Sequence, residues 1–131
     1  MINLVFEEEH YEFHHQSKSC FIVFRTEIMG IVMRIIQQYD PCHENEFMAL
    51  EKKFDELEKK RPDYPKGKRM QPISAGEPIN TLIWQYEFPD IETAYKILDF
   101  FNGDEGHEEL FRQQVPFMKQ VKVEFYKTLD F

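Results

Sequence analysis

Residues 80–90 read NTLIWQYEFPD, and this stretch decides the fold. Large apolar side chains occupy every second position from Leu82 to Phe88, which is the period of two that is typical of a β-strand. Pro89 ends the strand because proline has no N–H to donate, and Asp90 suits the N-cap of a following helix. A strand with a large apolar face and a second, mixed face belongs in the interior of a sheet.

Length and composition indicate how many domains the chain forms and which classes of partner it disfavours. The chain has 131 residues, enough for one domain with a real core. Thirteen Phe, six Tyr and one Trp supply large buried areas in a core or a subunit interface. The net charge of −8 argues against non-specific binding to nucleic acid, since such binding depends on Lys and Arg neutralising phosphates. It argues equally against anionic membrane surfaces.

Cysteine content and the first residues bear on the compartment. Cys20 and Cys42 lack the spacing of a metal site, and we expect two free, buried thiols rather than a disulfide. No apolar run reaches the ~18 residues that a membrane helix needs. Residues 1–9 carry three consecutive glutamates where a signal peptide would be basic. We therefore predict a cytoplasmic protein.

Residues 1–30 are predicted to form an N-terminal extension. Apolar residues at positions 2, 4 and 6 favour a short added strand, and residues 20–28 (CFIVFRTEI) are strongly strand-like. His10 and His14 would share a helix face and suit a metal, but the simpler interpretation is that they are solvated polar residues. Gly30 marks either a bulge in one long strand or the turn of a hairpin.

The remaining domain, residues 31–131, begins with a strand and a helix. Residues 31–39 (IVMRIIQQY) are strand-like, and Asp40 and Pro41 fit the cap and first turn of a helix. We interpret the Glu/Lys run at residues 51–60 as the solvated face of that helix. Its opposite face is an apolar stripe formed by Phe47, Leu50, Phe54 and Leu57.

The second half of the chain supplies the other elements. Residues 68–75 are a modest strand candidate, and a turn at residues 76–78 makes a hairpin with the strand at residues 80–90. The second helix follows Asp90 and is predicted to end at Gly103 in a left-handed C-cap. Asp104 begins a further short helix. Residues 121–129 alternate as the last strand.

This order of elements is the ferredoxin-like βαββαβ unit, an α+β sandwich in which the helices cover one face of an antiparallel sheet. The opposite sheet surface, here named the open face, is uncovered in a lone subunit. It is predicted to carry Ile36, Ile83, Tyr126, Arg34, Gln38, Gln85, Glu87, Lys122 and Glu124. Such a surface is too apolar to leave in water and too charged for a dry core, so we expect a second copy to cover it and enclose a hydrated cleft.

Three stretches carry a resemblance: HENEFMAL at residues 43–50, ISAGEPINTLIWQYEFPDIETA at residues 73–94 and VKVEFYKTL at residues 121–129. Over about residues 31–131 the chain resembles the dimeric α/β-barrel superfamily, and within it NIPSNAP-like proteins. The resemblance implies a homodimer whose sheets face each other to form a barrel. Superfamily members include cofactor-free monooxygenases, isomerases of lactone intermediates and haem enzymes. This chain departs from the haem-binding members, because the late helix has no His where an axial ligand would be expected, and we expect no cofactor.

The candidate site residues lie mainly on the open face. Four charged residues there are expected to line the barrel: Arg34, Glu87, Glu124 and Lys122. Glu87 or Glu124 would act as a general base of raised pKa. The alternative is that these charges form a structural ion network across the strands and the dimer seam. The candidate ligand-binding residues are Arg34, Gln85, Lys122 and Tyr126.

Two further residues are interpreted individually. His107, in the first turn of the short helix, is a candidate proton shuttle near the barrel mouth; the alternative is an exposed polar residue. Trp84 is predicted to lie in the core beneath the first helix rather than to serve as a ligand platform. The pair Cys42-His43 lacks further ligands, so we expect no metal site.

Three functions remain open from the sequence. The leading hypothesis is a dimeric α/β-barrel protein that binds a small, partly aromatic or apolar molecule in each barrel. The second is a cofactor-free monooxygenase or isomerase that acts on an aromatic or lactone-type substrate. The third is a non-catalytic structural or interaction protein. A pocket of several hundred Å³ ringed by polar groups would favour the first two.

Overall fold

A computed structural model describes residues 30–131 of the chain. The strands are β1 (Ile31–Tyr39), β2 (Lys68–Met70), β3 (Thr81–Phe88) and β4 (Met118–Lys127). The helices are α1 (Glu44–Lys60), α2 (Ile91–Gly103) and α3 (Glu105–Gln114). Single turns of 3₁₀ helix precede α1 and β4 at Pro41–His43 and Val115–Phe117. The order of elements confirms the predicted βαββαβ unit, with its second helix in two pieces.

The four strands form one antiparallel sheet in the order β2-β3-β1-β4. Ile35 of β1 lies opposite Trp84 of β3 and Val123 of β4, so these three side chains share one surface of the sheet. β3 is therefore an interior strand, as its two-faced pattern predicts. The alternation along β4 likewise separates a helix-facing row from a row on the open face.

The helices cover the sheet surface that carries Ile35. The main core brings together Met33, Trp84, Phe88, Leu98 and Phe101, all buried. Full burial of each large apolar side chain contributes roughly 1.5–3 kcal/mol, which holds α2 against β1 and β3. A second cluster of Tyr39, Phe47 and Leu82 joins the start of α1 to the sheet. The predicted stripe of α1 is thus its buried face.

Aspartates precede the helical segments at the three predicted positions. The side chains of Asp40, Asp90 and Asp104 accept hydrogen bonds from backbone N–H groups two or three residues later, at 2.9, 2.7 and 3.2 Å. The predicted left-handed cap at Gly103 is wrong, because no glycine within residues 30–131 has a positive φ. Asp104 is extended instead, and the chain passes directly from α2 into α3.

The hairpin between β2 and β3 is looser than predicted. Strand pairing stops at Met70 and does not reach residue 75, since Pro72 has no N–H to donate to a ladder. Residues 71–80 form an irregular loop. The carboxylate of Glu77 in this loop lies 3.0 Å from Lys122 Nζ on the distant strand β4. The loop therefore reaches over one end of the open face.

The predictions for the cysteines, the N-terminal residues and membrane helices have different outcomes. Cys42 is exposed rather than buried, because it lies on the 3₁₀ turn that leads into α1. Cys20, the added strands and the histidine pair all fall within residues 1–29, outside the described residues, as does the predicted extension itself. Within residues 30–131, none of the helices combines the length and the apolar character needed to cross a membrane.

Candidate functional site

The centre of the open face carries a row of hydrogen-bonded polar side chains. Arg34 and Gln85 are paired across β1 and β3, and Arg34 Nε donates to Gln85 Oε1 at 2.8 Å. The guanidinium carbon of Arg34 lies 5.0 Å from the centroid of the Tyr126 ring. The Tyr126 hydroxyl donates to Glu124, and this bond raises the pKa of Tyr126. Four of the predicted site residues are thus brought together.

The other two predicted residues of the open face lie apart from this row. Lys122 forms its ion pair with Glu77, and the hydrogen bond between them raises the pKa of Lys122. Glu87 lies at the opposite end, where its Oε2 would be 2.6 Å from a Cβ added to Gly30. The predicted cluster of four charges is therefore divided along the sheet. Arg34 is already engaged by Gln85 and Tyr126, which is what the alternative of a structural network requires.

On the other side of the sheet lies a cavity that the sequence does not reveal. It sits between the sheet and the helices α1 and α3, encloses about 50 Å³ and is partly open to solvent. We name it the helix-side cavity. Its polar wall consists of Gln37, Glu51, Glu58, Arg69 and His107. Its aromatic wall consists of Phe54, Trp84, Phe101 and Phe111. This volume holds about three or four water molecules and is far smaller than the several hundred Å³ that would favour a binding protein or an enzyme.

An arginine held by carboxylates forms the polar wall of the helix-side cavity. Arg69 lies opposite Trp84 in the β2–β3 pair, so its side chain points toward the helices. Its Nε donates to Glu51 at 2.6 Å and its terminal nitrogens donate to Glu58 at 2.6 and 3.2 Å. A further contact to Asp55 measures 3.4 Å. Burial alone would lower the pKa of Arg69, but the hydrogen bonds to Glu58 and the charge of Glu51 raise it overall.

The prediction that residues 51–60 form a solvated face is wrong for two positions. Glu51 and Glu58 are only 6% and 7% exposed. They lie four residues after Phe47 and Phe54, so helix geometry places them beside the apolar stripe. This spacing alone indicates that Glu51 and Glu58 lie close to the core. The cation that neutralises them, Arg69, comes from β2, whose strand pattern in the sequence is the weakest of the four.

His107 lies on the aromatic side of the helix-side cavity. Its ring stacks on Phe101 with centroids 4.8 Å apart and planes 3° apart. Burial lowers the pKa of His107 to about 4, and the nearby charge of Asp104 offsets this only in part. The imidazole is therefore neutral at pH 7, and it is partly buried rather than exposed. A base of such low pKa is better suited to hydrogen bonding than to proton transfer.

Asp104 fixes the position of His107. Its carboxylate caps α3, accepts a hydrogen bond from the Tyr64 hydroxyl and is held by Arg61 at 2.9 and 3.0 Å. Burial would raise the pKa of Asp104, but these donors lower it overall. Tyr64 also stacks on Phe101, with ring centroids 5.7 Å apart. The segment after α1 thereby holds the first turn of α3 against the cavity.

Trp84 lies in the core beneath α1, as predicted, and also borders the helix-side cavity. Its Nε1 lies 3.4 Å from Glu58 Oε1, a long hydrogen bond. The backbone at Gly67 passes against the indole, since a Cβ added there would lie 2.1 Å from Trp84 Cε2. Gly67 is therefore required by this close approach, and Trp84 is held on both sides.

Four buried polar atoms have no hydrogen-bond partner among the residues that the structure describes: Gln37 Oε1, His107 Nδ1, Gln114 Oε1 and Thr81 Oγ1. Gln37 and His107 line the cavity, Gln114 lies behind its wall residue Glu51, and Thr81 is not part of the lining. Gln114 is 0% exposed, and its Nε2 donates to Glu51 Oε1 at 3.0 Å. Buried polar groups are nearly always paired, so unpaired atoms gathered at a cavity suggest an occupant. His107 was a candidate from the sequence and Trp84 was predicted only as a core residue. Local patterns did not mark Gln37, Glu51, Glu58, Arg69 or Gln114 as site residues.

Comparisons with known proteins agree on the fold. No family model matches the chain, and no curated protein matches it. A NIPSNAP family protein from Agrobacterium tumefaciens superimposes with a TM-score of 0.64 at 11% identity, covering 78% of this chain and 95% of that one. An uncharacterised NIPSNAP-like domain protein from Burkholderia xenovorans gives 0.62 at 15% identity, covering 78% and 87%. A putative antibiotic biosynthesis monooxygenase from Nitrosomonas europaea gives 0.56 at 10% identity, covering 76% and 90%.

These similarities are of fold. They confirm the resemblance to NIPSNAP-like and related ferredoxin-like proteins and the α+β architecture predicted from the sequence. At identities of 10–15% they assign no site residue and no activity to this chain.

Proposed function

We propose that this protein binds a small molecule in the helix-side cavity. The observation that carries the proposal is the group of unpaired buried acceptors at a partly open cavity. Each buried acceptor without a donor costs roughly 1–3 kcal/mol, and a ligand that supplies donors recovers that free energy on binding. The aromatic wall adds apolar contact area and the charged wall adds orientation.

Trp84 makes this proposal directly testable, because it is the single Trp of the chain and borders the cavity. We expect members of a small-fragment library to shift its indole N–H resonance saturably. His107→Phe removes one acceptor and should weaken these shifts about tenfold. Tyr126→Phe, on the open face, is the matched control and should leave them unchanged. If no fragment moves the indole resonance, the cavity binds nothing and a non-catalytic structural role becomes the better reading.

A homodimer through the open face is part of the same proposal. Tyr126 and Met70 expose large apolar surface beside the Arg34–Gln85 pair, and the loop at residues 71–80 covers only one end of this face. A second copy would bury the remainder, as the superfamily resemblance implies. Sedimentation velocity should show a dimer at micromolar concentration. Tyr126→Glu should shift it to monomer, Lys53→Glu on α1 should not, and a monomeric wild type would exclude the assembly.

An enzyme is the second candidate, a cofactor-free monooxygenase or isomerase for a small aromatic or lactone-type substrate. It is favoured by the similarity of fold to structures described as antibiotic biosynthesis monooxygenases and by the aromatic rings on the cavity wall. The proposed bases Glu87 and Glu124 lie on the open face, so their use requires substrate in the dimer cleft near Arg34. Turnover of hydroxylated aromatic or lactone substrates that survives in both Glu87→Gln and Glu124→Gln would remove these two carboxylates from the mechanism.

A further inference from the structure

Two donors beside the helix-side cavity, Arg69 and Gln114, are already engaged. Arg69 donates to Glu51 and to Glu58, in each case at 2.6 Å. Gln114 Nε2 donates to the Phe47 carbonyl at 3.3 Å and to Glu51 Oε1 at 3.0 Å. Both of these partners are acceptors, so they fix the position of Gln114 Nε2, and the amide oxygen Oε1 remains without a hydrogen-bond partner among the described residues.

The unpaired atoms around the cavity are acceptors. Gln37 Oε1 and Gln114 Oε1 accept only, and neither has a donor within residues 30–131. His107 Nδ1 is also unpaired in this part of the chain and accepts in the tautomer that carries its proton on Nε2. Gln37 and His107 both line the cavity, and Gln114 is bonded to a wall residue. Only the Gln114 amide is fixed by its partners, whereas the Gln37 amide is free to present either end and His107 Nδ1 accepts in one tautomer. An occupant that brings donors satisfies all three atoms in the orientation described.

The charge around the cavity has the sign that favours a cation. Glu51, Asp55 and Glu58 lie within 3.4 Å of the Arg69 guanidinium, and Asp55 also forms an ion pair with Lys59 at 2.8 Å. Three carboxylates against two cations leave one negative charge in excess. An anionic ligand would be repelled by the net negative charge and would find no donors in the orientation described. A cation with N–H groups would be attracted by the charge and would donate to the unpaired acceptors. Partial burial makes the electrostatic attraction stronger than it would be in water.

The aromatic wall is compatible with the same ligand class. Phe54, Trp84, Phe101 and Phe111 surround the cavity on its apolar side. The faces of such rings attract ammonium groups by about 0.5–2 kcal/mol each, with Trp the strongest. Aromatic rings combined with carboxylates therefore suit a cation that carries N–H groups and a short apolar body.

We infer that the helix-side cavity selects a small primary ammonium compound, whose N–H groups would be donated to Gln37 Oε1 and His107 Nδ1. This inference rests on the proposed binding function and adds the chemical class of the ligand. The enclosed volume of about 50 Å³ admits an ammonium head and a few carbon atoms. A longer chain would extend through the open side.

Three probes with the same branched four-carbon skeleton test the class: isobutylamine, isobutanol and isobutyrate. Each is titrated at pH 7 and equal ionic strength while the Trp84 indole resonance of the full chain is followed. The amine should bind at least about tenfold more tightly than the alcohol, and the carboxylate should not saturate. If alcohol or carboxylate matches the amine, the class is wrong while the binding function stands. If none of the three shifts Trp84, the class is wrong, and the binding function also fails if no member of the fragment library shifts the resonance.

A pair of adjacent residues supplies the matched variants. Gln37 points to the helix-side cavity, whereas Gln38 on the same strand points to the open face. Gln37→Met removes the unpaired acceptor with little change of volume and should weaken amine binding about tenfold, while isobutanol is affected less. Gln38→Met should leave both affinities at the wild-type value. Equal amine affinity in the two variants would overturn the assignment of Gln37.

Discussion

Lowering the pH from 7 to 5 is expected to destabilise the fold through His107. The imidazole lies against Phe54 and Phe101, with ring centroids 5.0 and 4.8 Å away. Burial lowers its pKa from 6.5 to about 4, and the charge of Asp104 opposes that shift only in part. Between these two values the unfolded chain binds a proton that the folded chain does not. Stability is therefore complete above about pH 6.5 and falls as the pH drops toward 4.

The size of the effect follows from the two pKa values of His107. At pH 5 the imidazole is almost fully protonated in the unfolded chain and only about one-tenth protonated in the fold. Linkage then gives a loss of about 2 kcal/mol relative to pH 7, and about 3 kcal/mol below pH 4. Carboxylates with lowered pKa, such as Asp104, lose their contribution as the pH falls below their ordinary value of 3.8, outside this window.

Urea unfolding followed by Trp84 fluorescence measures this loss at both pH values. Wild type should lose about 2 kcal/mol between pH 7 and pH 5. His107→Gln starts less stable because the ring packing is gone, but it should change by less than about 0.5 kcal/mol over the same interval. His43→Gln removes a histidine whose side chain is 45% exposed and should keep the wild-type dependence. Equal losses in wild type and His107→Gln would refute the reasoning.

Two further substitutions test the architecture around the cavity. Arg69→Met should lower the free energy of unfolding by about 3–5 kcal/mol, because its buried carboxylate partners lose their cation. Arg112→Met removes an ion pair whose arginine is 67% exposed and should cost less than about 1 kcal/mol; similar urea midpoints for the two would contradict the buried-network argument. Gly67→Ala places a methyl group against Trp84 and should cost about 1–3 kcal/mol or more by thermal unfolding. Gly76→Ala has open space around it and should stay within about 0.5 kcal/mol, so matching losses would exclude the steric explanation.

The strands and their faces were predictable because their signal is local. Successive side chains alternate across any strand, so the pattern around Trp84 identifies β3, its buried face and its interior position without knowledge of its neighbours. The aspartate caps are local for the same reason. The cap at Gly103 was not predictable, because the geometry there depends on where α3 packs rather than on the glycine itself.

The helix-side cavity was not predictable from local patterns. Helix periodicity places Glu51 and Glu58 near the apolar stripe, but a charged side chain at that position is buried only if a cation reaches it. That cation, Arg69, comes from a strand of three residues, too short for a clear alternation. The residues of the open face were predictable, but the ion pairs among them were not. The partner of Lys122 is Glu77, which lies in a loop whose path has no periodic signal in the sequence.

The strand order has a consequence for how the molecule reaches its native state. β1 pairs along its whole length with β4, and the backbone N–H of Gly30 bonds to Thr128, 98 positions later. Such non-local pairing slows folding because a long loop must close first. At typical synthesis rates, roughly 4–16 s separate the emergence of Tyr39 from that of Met118. During that interval the edge of β1 that pairs with β4 in the native sheet has no native partner and is open to non-native strand pairing.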